Sequence, residues 1–148
     1  MNATETFRIV VGVDGSPESL RALEWAVAEA RLRHGQVHVV TAWQHPAMVA
    51  DDEDLDWDLT GYEARARFLQ AEALRSAHAA PEDITGEVVQ GQPAAVLIEA
   101  SAEADLLIVG SHGYGGFTGL LLGSVSNQVV HHARCPVLVV RSRRPGRL

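Results

Sequence analysis

The sequence predicts an α/β fold, a five-stranded parallel sheet with helices on both faces. Three features carry that expectation. Short apolar, β-branched runs recur along the chain, the stretches between most of them show helical spacing, and a late run leads into a glycine-rich turn. Strands separated by helical crossovers imply a parallel sheet covered on both faces.

Phe7–Val13 (FRIVVGV) reads as a strand buried on both faces. Asp14-Gly15-Ser16-Pro17 ends it, with Ser16 a good N-cap and Pro17 a good first helical residue. Leu20, Leu23, Val27 and Ala30 recur at helical spacing, and His34-Gly35 should stop that helix, with the glycine past its end. Gln36–Trp43 is a second strand. His45 to Thr60 is a long polar and acidic connection, read as a lid, a mobile segment or a short helical excursion. Tyr62, Ala66, Leu69, Ala73 and Ala77 mark a second helix over about residues 60 to 79, closed by Pro81. Ile84–Val89 is the third strand, and Pro93 opens a helix that runs to about Ala102. Leu106–Val109 is the fourth strand, about Ser124–Ala133 the fourth helix and Val137–Val140 the last strand.

At 148 residues the chain fits one domain, with a core over about residues 7 to 141 and a basic tail at 142–148. Hydrophobic content of 47% and charged content of 21% are those of a globular protein. No apolar stretch approaches the roughly 18 residues of a membrane span. The first residues lack a basic segment followed by a long apolar one, so a cytoplasmic location is expected. Net charge is −7, and Asp51, Asp52, Glu53, Asp54, Asp56 and Asp58 carry most of it. The remainder is near neutral, with no basic face of the kind a nucleic-acid binder needs. The single cysteine, Cys135, excludes an intrachain disulfide and reads as a small packing residue.

Residues 110–124 read GSHGYGGFTGLLLGS. A strand, a glycine-rich loop and a helix start together make an anion site, because glycines admit a phosphate close to backbone N–H groups and the helix end adds unpaired donors. The run is not a Walker loop. That loop needs a lysine, and all 12 basic residues of this chain are arginine. Nor is it a Rossmann fingerprint: Gly113, Gly115 and Gly119 miss its spacing by one and follow a late strand. In open parallel sheets ligands lie beyond the carboxyl ends of the strands, where strand order reverses. Asp14-Gly15 and Gly110 both stand at such an end, so one nucleotide site built from the first and fourth strands would use both.

The chain resembles the universal stress protein family. The likeness rests on VGVDGS at 11–16, VVQGQP at 88–93, ADLLIVGSHG at 104–113, GSVSNQVV at 123–130 and ARCPVLVVR at 133–141. The spacing Gly110-x2-Gly113-x9-Gly123-Ser124 matches the mark of the family's ATP-binding branch. The resemblance implies strand order 3-2-1-4-5 and a homodimer that pairs the last strand, Val137–Val140, across a two-fold axis, unless the tail beyond Arg141 hides that edge. It places Val13 and Asp14 near ribose and adenine and the backbone of Ala42 against the adenine. It assigns the phosphate loop to Gly110, Ser111, His112, Gly113 and the following backbone through Gly115 and Gly116. The helix start that holds phosphates would be Gly123, Ser124, Val125 and Ser126. Tyr114 stands where relatives often have a basic residue.

Asp14 either holds a Mg²⁺ ion carried by the phosphates or bonds nearby backbone as a turn residue. Ser124 acts through its hydroxyl, its N–H or both, or is a plain N-cap. His112 could donate to a phosphate or position the loop. His131 and His132 are adjacent on a helix and diverge, so they do not chelate as a pair. Trp57 gives the acidic segment one apolar anchor for docking over a nucleotide. No nucleophile–base pair is visible, and neither a loop lysine nor a placed arginine is available for phosphoryl transfer. The expectation is therefore a dimeric, ATP-binding regulatory protein of the stress response with at most slow hydrolysis. An enzyme of adenylyl or phosphoryl transfer, and a scaffold without nucleotide, are the alternatives.

Overall fold

The computed structural model describes residues 6–44, 59–77, 83–112 and 122–141. Within them strands and helices alternate: β1 (Arg8–Gly12), α1 (Pro17–Arg33), β2 (Gln36–Trp43), α2 (Leu59–Ser76), β3 (Ile84–Gln90), α3 (Pro93–Ser101), β4 (Leu106–Gly110), α4 (Ser124–His132) and β5 (Val137–Val140). All four strand pairings are parallel, in the order β3-β2-β1-β4-β5. The expected α/β architecture and strand order are both present. The acidic segment Asp51–Asp58 with Trp57, Tyr114 and the basic tail 142–148 lie outside the described residues.

β1 is central, and its Ile9, Val10 and Val11 are all buried. Side chains alternate across a strand. Accordingly Ile9, Val11, Val37, Val39 and Ile108 pack under α1 and α2, while Val10, Val40, Leu107 and Val109 pack with Leu97 of α3 and Val129 of α4. Each fully buried aliphatic side chain contributes about 1.5–3 kcal/mol. Helix α1 lays Ala22, Leu23, Ala26, Val27 and Ala30 on the first face. The residue that turns left-handed at its end is His34 (φ 53°), not the glycine. Gly35 is required for space instead: a Cβ there would stand 2.5 Å from the Phe7 carbonyl oxygen.

Helix α2 is fixed by a residue that apolar periodicity does not mark. Gln70 is buried, and its Nε2 donates to the Thr41 hydroxyl at 3.1 Å and the Glu87 carbonyl at 2.9 Å. That ties α2 to β2 and the edge strand β3. The other edge, β5, pairs only with β4 among the described strands. No described helix is long and apolar enough to cross a membrane.

Candidate functional site

Strand order reverses between β1 and β4, whose carboxyl ends lie side by side. The segments that leave them form the walls of a cavity of about 250 Å³, near the lower end for small-molecule sites. Val13, Asp14, Ala42, Gly110, His112, Gly123, Ser124, Val125 and Ser126 all line it. These residues span most of the sequence, and the fold brings them to one cavity. Ser111 is buried behind the wall. Gly113, Gly115 and Gly116 lie outside the described residues. Val40, Pro93, Leu97 and Val109 add an apolar surface that the sequence reading did not assign. Their signal was available, since the carboxyl end of β2 and the start of α3 reach the same side of a parallel sheet.

The β1–α1 corner satisfies its own polar groups. Asp14 Oδ1 accepts the Ser16 N–H at 2.8 Å, which is the turn role of an aspartate. Gly15 takes φ +87°, a backbone that side-chain-bearing residues rarely adopt. Ser16 caps α1: its Oγ accepts the Ser19 N–H at 3.3 Å, and Ser19 Oγ donates back to the Ser16 carbonyl at 2.9 Å. Ser19 Oγ also accepts the Asp14 N–H at 3.3 Å.

The β4–α4 corner is built differently. Gly123, rather than Ser124, is the N-cap residue of α4, and among the described residues no side chain caps that helix. Ser124 is exposed at its first helical position. First-turn N–H groups have no partner within a helix, so Ser124, Val125 and Ser126 present theirs at the cavity end of α4. The loop ends are held by the Gly123 N–H donating to the Ser111 carbonyl at 2.6 Å and by buried Ser126, whose hydroxyl donates to the same carbonyl at 2.6 Å. Gly123 has an ordinary φ of −75°, so its constraint is space: a Cβ would stand 3.3 Å from both His112 Cα and the Ser111 oxygen.

Glu18, in the first turn of α1, joins the two corners and was missed by the sequence reading. Its Oε2 accepts the His112 N–H at 2.9 Å and also accepts the Ser111 hydroxyl. Gly110 makes this approach possible, because a Cβ there would meet Glu18 Cβ at 2.9 Å and its carbonyl carbon at 3.0 Å. Glu18 is 93 residues from Ser111 in sequence, and its helical position looks like any acidic residue favoured near a helix N-terminus.

The described residues, those of the cavity included, contain no cluster of three or more His, Cys, Asp or Glu side chains suited to a metal. His131 and His132 are exposed, with ring centroids 6.4 Å apart. Burial first, then the charge of Asp105, pushes the Cys135 thiol up from its ordinary value, which suits a packing role.

Residues 5–141 match the universal stress protein family, and the chain belongs to it. A universal stress protein of Mycobacterium tuberculosis, Rv2005c, is 41% identical over 133 residues, which is 90% of this chain and 45% of that protein. The chain thus spans about half the length of the curated relatives it matches. Among solved structures, UspA from Lactobacillus plantarum superposes with a TM-score of 0.78 at 23% identity, covering 93% of this chain and 99% of that one. A universal stress protein in complex with cAMP superposes at 0.60 with 32% identity, covering 90% of this chain and 95% of that one.

Proposed function

We propose that this chain binds an adenine nucleotide, ATP foremost, in the cavity between β1 and β4, and that occupancy rather than turnover is its output. The uncapped N-terminus of α4 beside a self-capped α1 carries the reading. A helix start whose donors no described side chain takes attracts an anion, and the apolar wall of Val40, Leu97 and Val109 suits a base. The solved relative in complex with cAMP supports an adenine ligand. Val13 and Asp14 would meet the sugar and Ala42 the base. Ser124, Val125 and Ser126 would meet phosphates through backbone N–H groups, joined by the loop backbone of Gly110, Gly113, Gly115, Gly116 and Gly123. Ser111 and His112 act from the loop start. Asp14 suits a Mg²⁺ already carried by phosphates, since that ion needs only one or two carboxylates. It does not form a protein cage.

The chain's own residues favour holding over cleaving. No lysine exists to stabilise charge at an outer phosphate. Calorimetry with ATP, ADP, AMP and Mg²⁺, beside a steady-state ATPase assay, tests this. ATP binding with turnover several orders below the roughly 1–100 per second of kinases is expected. Turnover within that range, lost in Asp14→Asn, would favour the enzyme; no binding of any nucleotide would favour the scaffold.

The same reading includes a cytoplasmic regulatory protein of the stress response that dimerises through β5. An edge strand rich in valine invites pairing, and a charge blocks it. Val139→Lys should shift sedimentation toward monomer while circular dichroism stays native. A folded variant with an intact dimer would move the interface elsewhere.

A further inference from the structure

Charge around the cavity is unbalanced for a ligand that carries phosphate. Asp14 lines it, and Glu18 bonds the start of the loop behind it. Among the described residues no arginine lines it, and the stretch 113–121 holds no charged residue in its sequence. His112 lines it too, but its Nδ1 faces Ser111 and Glu18 and its Nε2 is buried, so the ring presents no donor there. The N–H groups at the start of α4 carry only partial charge. A nucleotide phosphate therefore needs a full positive charge from elsewhere in the chain or from solution.

The fold brings one arginine to that end of the sheet. Gly110 of β4 is paired with Val140 of β5, and the Ser111 N–H donates to the Val140 carbonyl at 2.8 Å. The carbonyl of the same Ser111 accepts the Gly123 N–H at 2.6 Å and the Ser126 hydroxyl at 2.6 Å. A single residue thus ties the end of β5 to the start of α4, and Arg141 follows Val140 directly. Strand alternation sets its side. Leu138 and Val140 pack in the core under α1, whereas Val137 and Val139 pack in the core that holds Val125 and Val129 of α4. The next side chain in that alternation falls on the α4 face. Arg141 is exposed, and no described residue pairs with its guanidinium. Arg21, one turn beyond Glu18, belongs to the helix on the opposite face.

We propose that Arg141 is the phosphate-reading cation of this cavity, its guanidinium pairing with the ligand phosphate at the start of α4. This rests on the nucleotide reading and sharpens it by naming the residue that supplies the missing charge. A guanidinium presents forked N–H donors that match two phosphate oxygens, which an ammonium does not. Its long stem lets the charge extend from the strand end while the backbone stays in place. The contact forms with the bound ground state, so it raises affinity without favouring cleavage. It also ranks ligands: a nucleoside without phosphate gains nothing from Arg141.

Calorimetric affinities for AMP and adenosine, measured without divalent cation on the wild type, Arg141→Gln and Arg141→Lys, test this. Arg141→Gln should weaken AMP roughly three- to tenfold, a charged contact discounted for an exposed and screened group. Adenosine should bind both proteins equally. Arg141→Lys, which keeps the charge but not the fork, should fall between wild type and Arg141→Gln for AMP. Urea midpoints and sedimentation should match the wild type in both variants. The proposal is overturned if Arg141→Gln binds AMP as tightly as the wild type, or loses adenosine by the same factor. A lysine variant no better than the glutamine one, or a loss that comes with altered stability or sedimentation, overturns it too. Where adenosine binds too weakly to measure, the contrast between glutamine and lysine on AMP decides. A wild type that binds AMP beside an unaffected Arg141→Gln leaves the nucleotide reading standing and removes only Arg141. A wild type that binds neither ligand removes both.

Discussion

Two strand ends face each other across the cavity, and each feeds a helix. At the end of β1, Ser16 caps α1 with its own hydroxyl, and Asp14 and Ser19 bond the surrounding backbone. At the end of β4, Gly123 stands where such a serine would be, and no described side chain caps the start of α4. The first corner is complete by itself. The second has its hydroxyls turned elsewhere: buried Ser126 bonds the loop, and Ser124 is exposed. On the proposed reading, phosphate binding falls to the second corner while the first caps its own helix, although both lie on a strand–turn–helix. Glu18 couples them, leaving α1 to hold the start of the other loop.

The largest effect should come from breaking that coupling. Gly110→Val puts methyl groups where even a Cβ falls within 3.1 Å of Glu18 Cβ, its carbonyl carbon and its carbonyl oxygen. Two of these are backbone, so α1 and β4 must separate. Overpacking of this kind costs about 1–3 kcal/mol. Urea unfolding should show it, and nucleotide retention should fall with it. Near-wild-type stability would mean that the two elements slide freely, and the corners are not coupled through this contact.

A crossed pair of mutants tests the division itself. Ser16→Ala removes a cap and should cost about 1 kcal/mol in unfolding free energy; Ser16 also lines the cavity, and nucleotide affinity should fall less than in Ser124→Ala. Ser124→Ala removes an exposed hydroxyl that caps nothing, so stability should hold within about 0.5 kcal/mol, while affinity falls several-fold if the hydroxyl meets a phosphate. Calorimetry and urea melts on both proteins are sufficient. Equal effects of both substitutions on both quantities would erase the distinction between the corners.

How much of this was readable from sequence follows from the range of the interactions. Ser16, Pro17 and Gly15 act on neighbours a few residues away, and their roles in the first corner could be read from spacing. The alternation of apolar runs with helical stretches likewise led to the parallel sheet, because strand and helix periods are local properties. Gly110 was marked as a phosphate-loop residue, yet its close contact is with Glu18, a helix packing against it. Ser124 was weighed as an N-cap, but the cap fell one residue earlier, where only the φ and ψ of Gly123 decide it. Glu18 and Gln70 carried no signal at all. Each bonds groups brought close by sheet topology, and a single sequence does not contain those distances.

The smallest expected effect is also the sharpest use of the comparison. Gly123→Ser installs in the second corner the residue type that completes the first. A serine at an N-cap is worth only a few tenths of a kcal/mol over glycine. Here part of that is offset, because its Cβ would stand 3.3 Å from His112 Cα and the Ser111 oxygen and those atoms must yield slightly. Thermal unfolding should therefore stay close to wild type. The new hydroxyl, however, would accept a first-turn N–H of α4, one of the donors proposed to meet phosphate. Nucleotide affinity should drop by a few-fold, and the ligand-induced rise in melting temperature should shrink in step, since that rise depends on ligand concentration relative to its dissociation constant. Unchanged affinity in a folded Gly123→Ser protein would mean that the open start of α4 is not what the ligand uses.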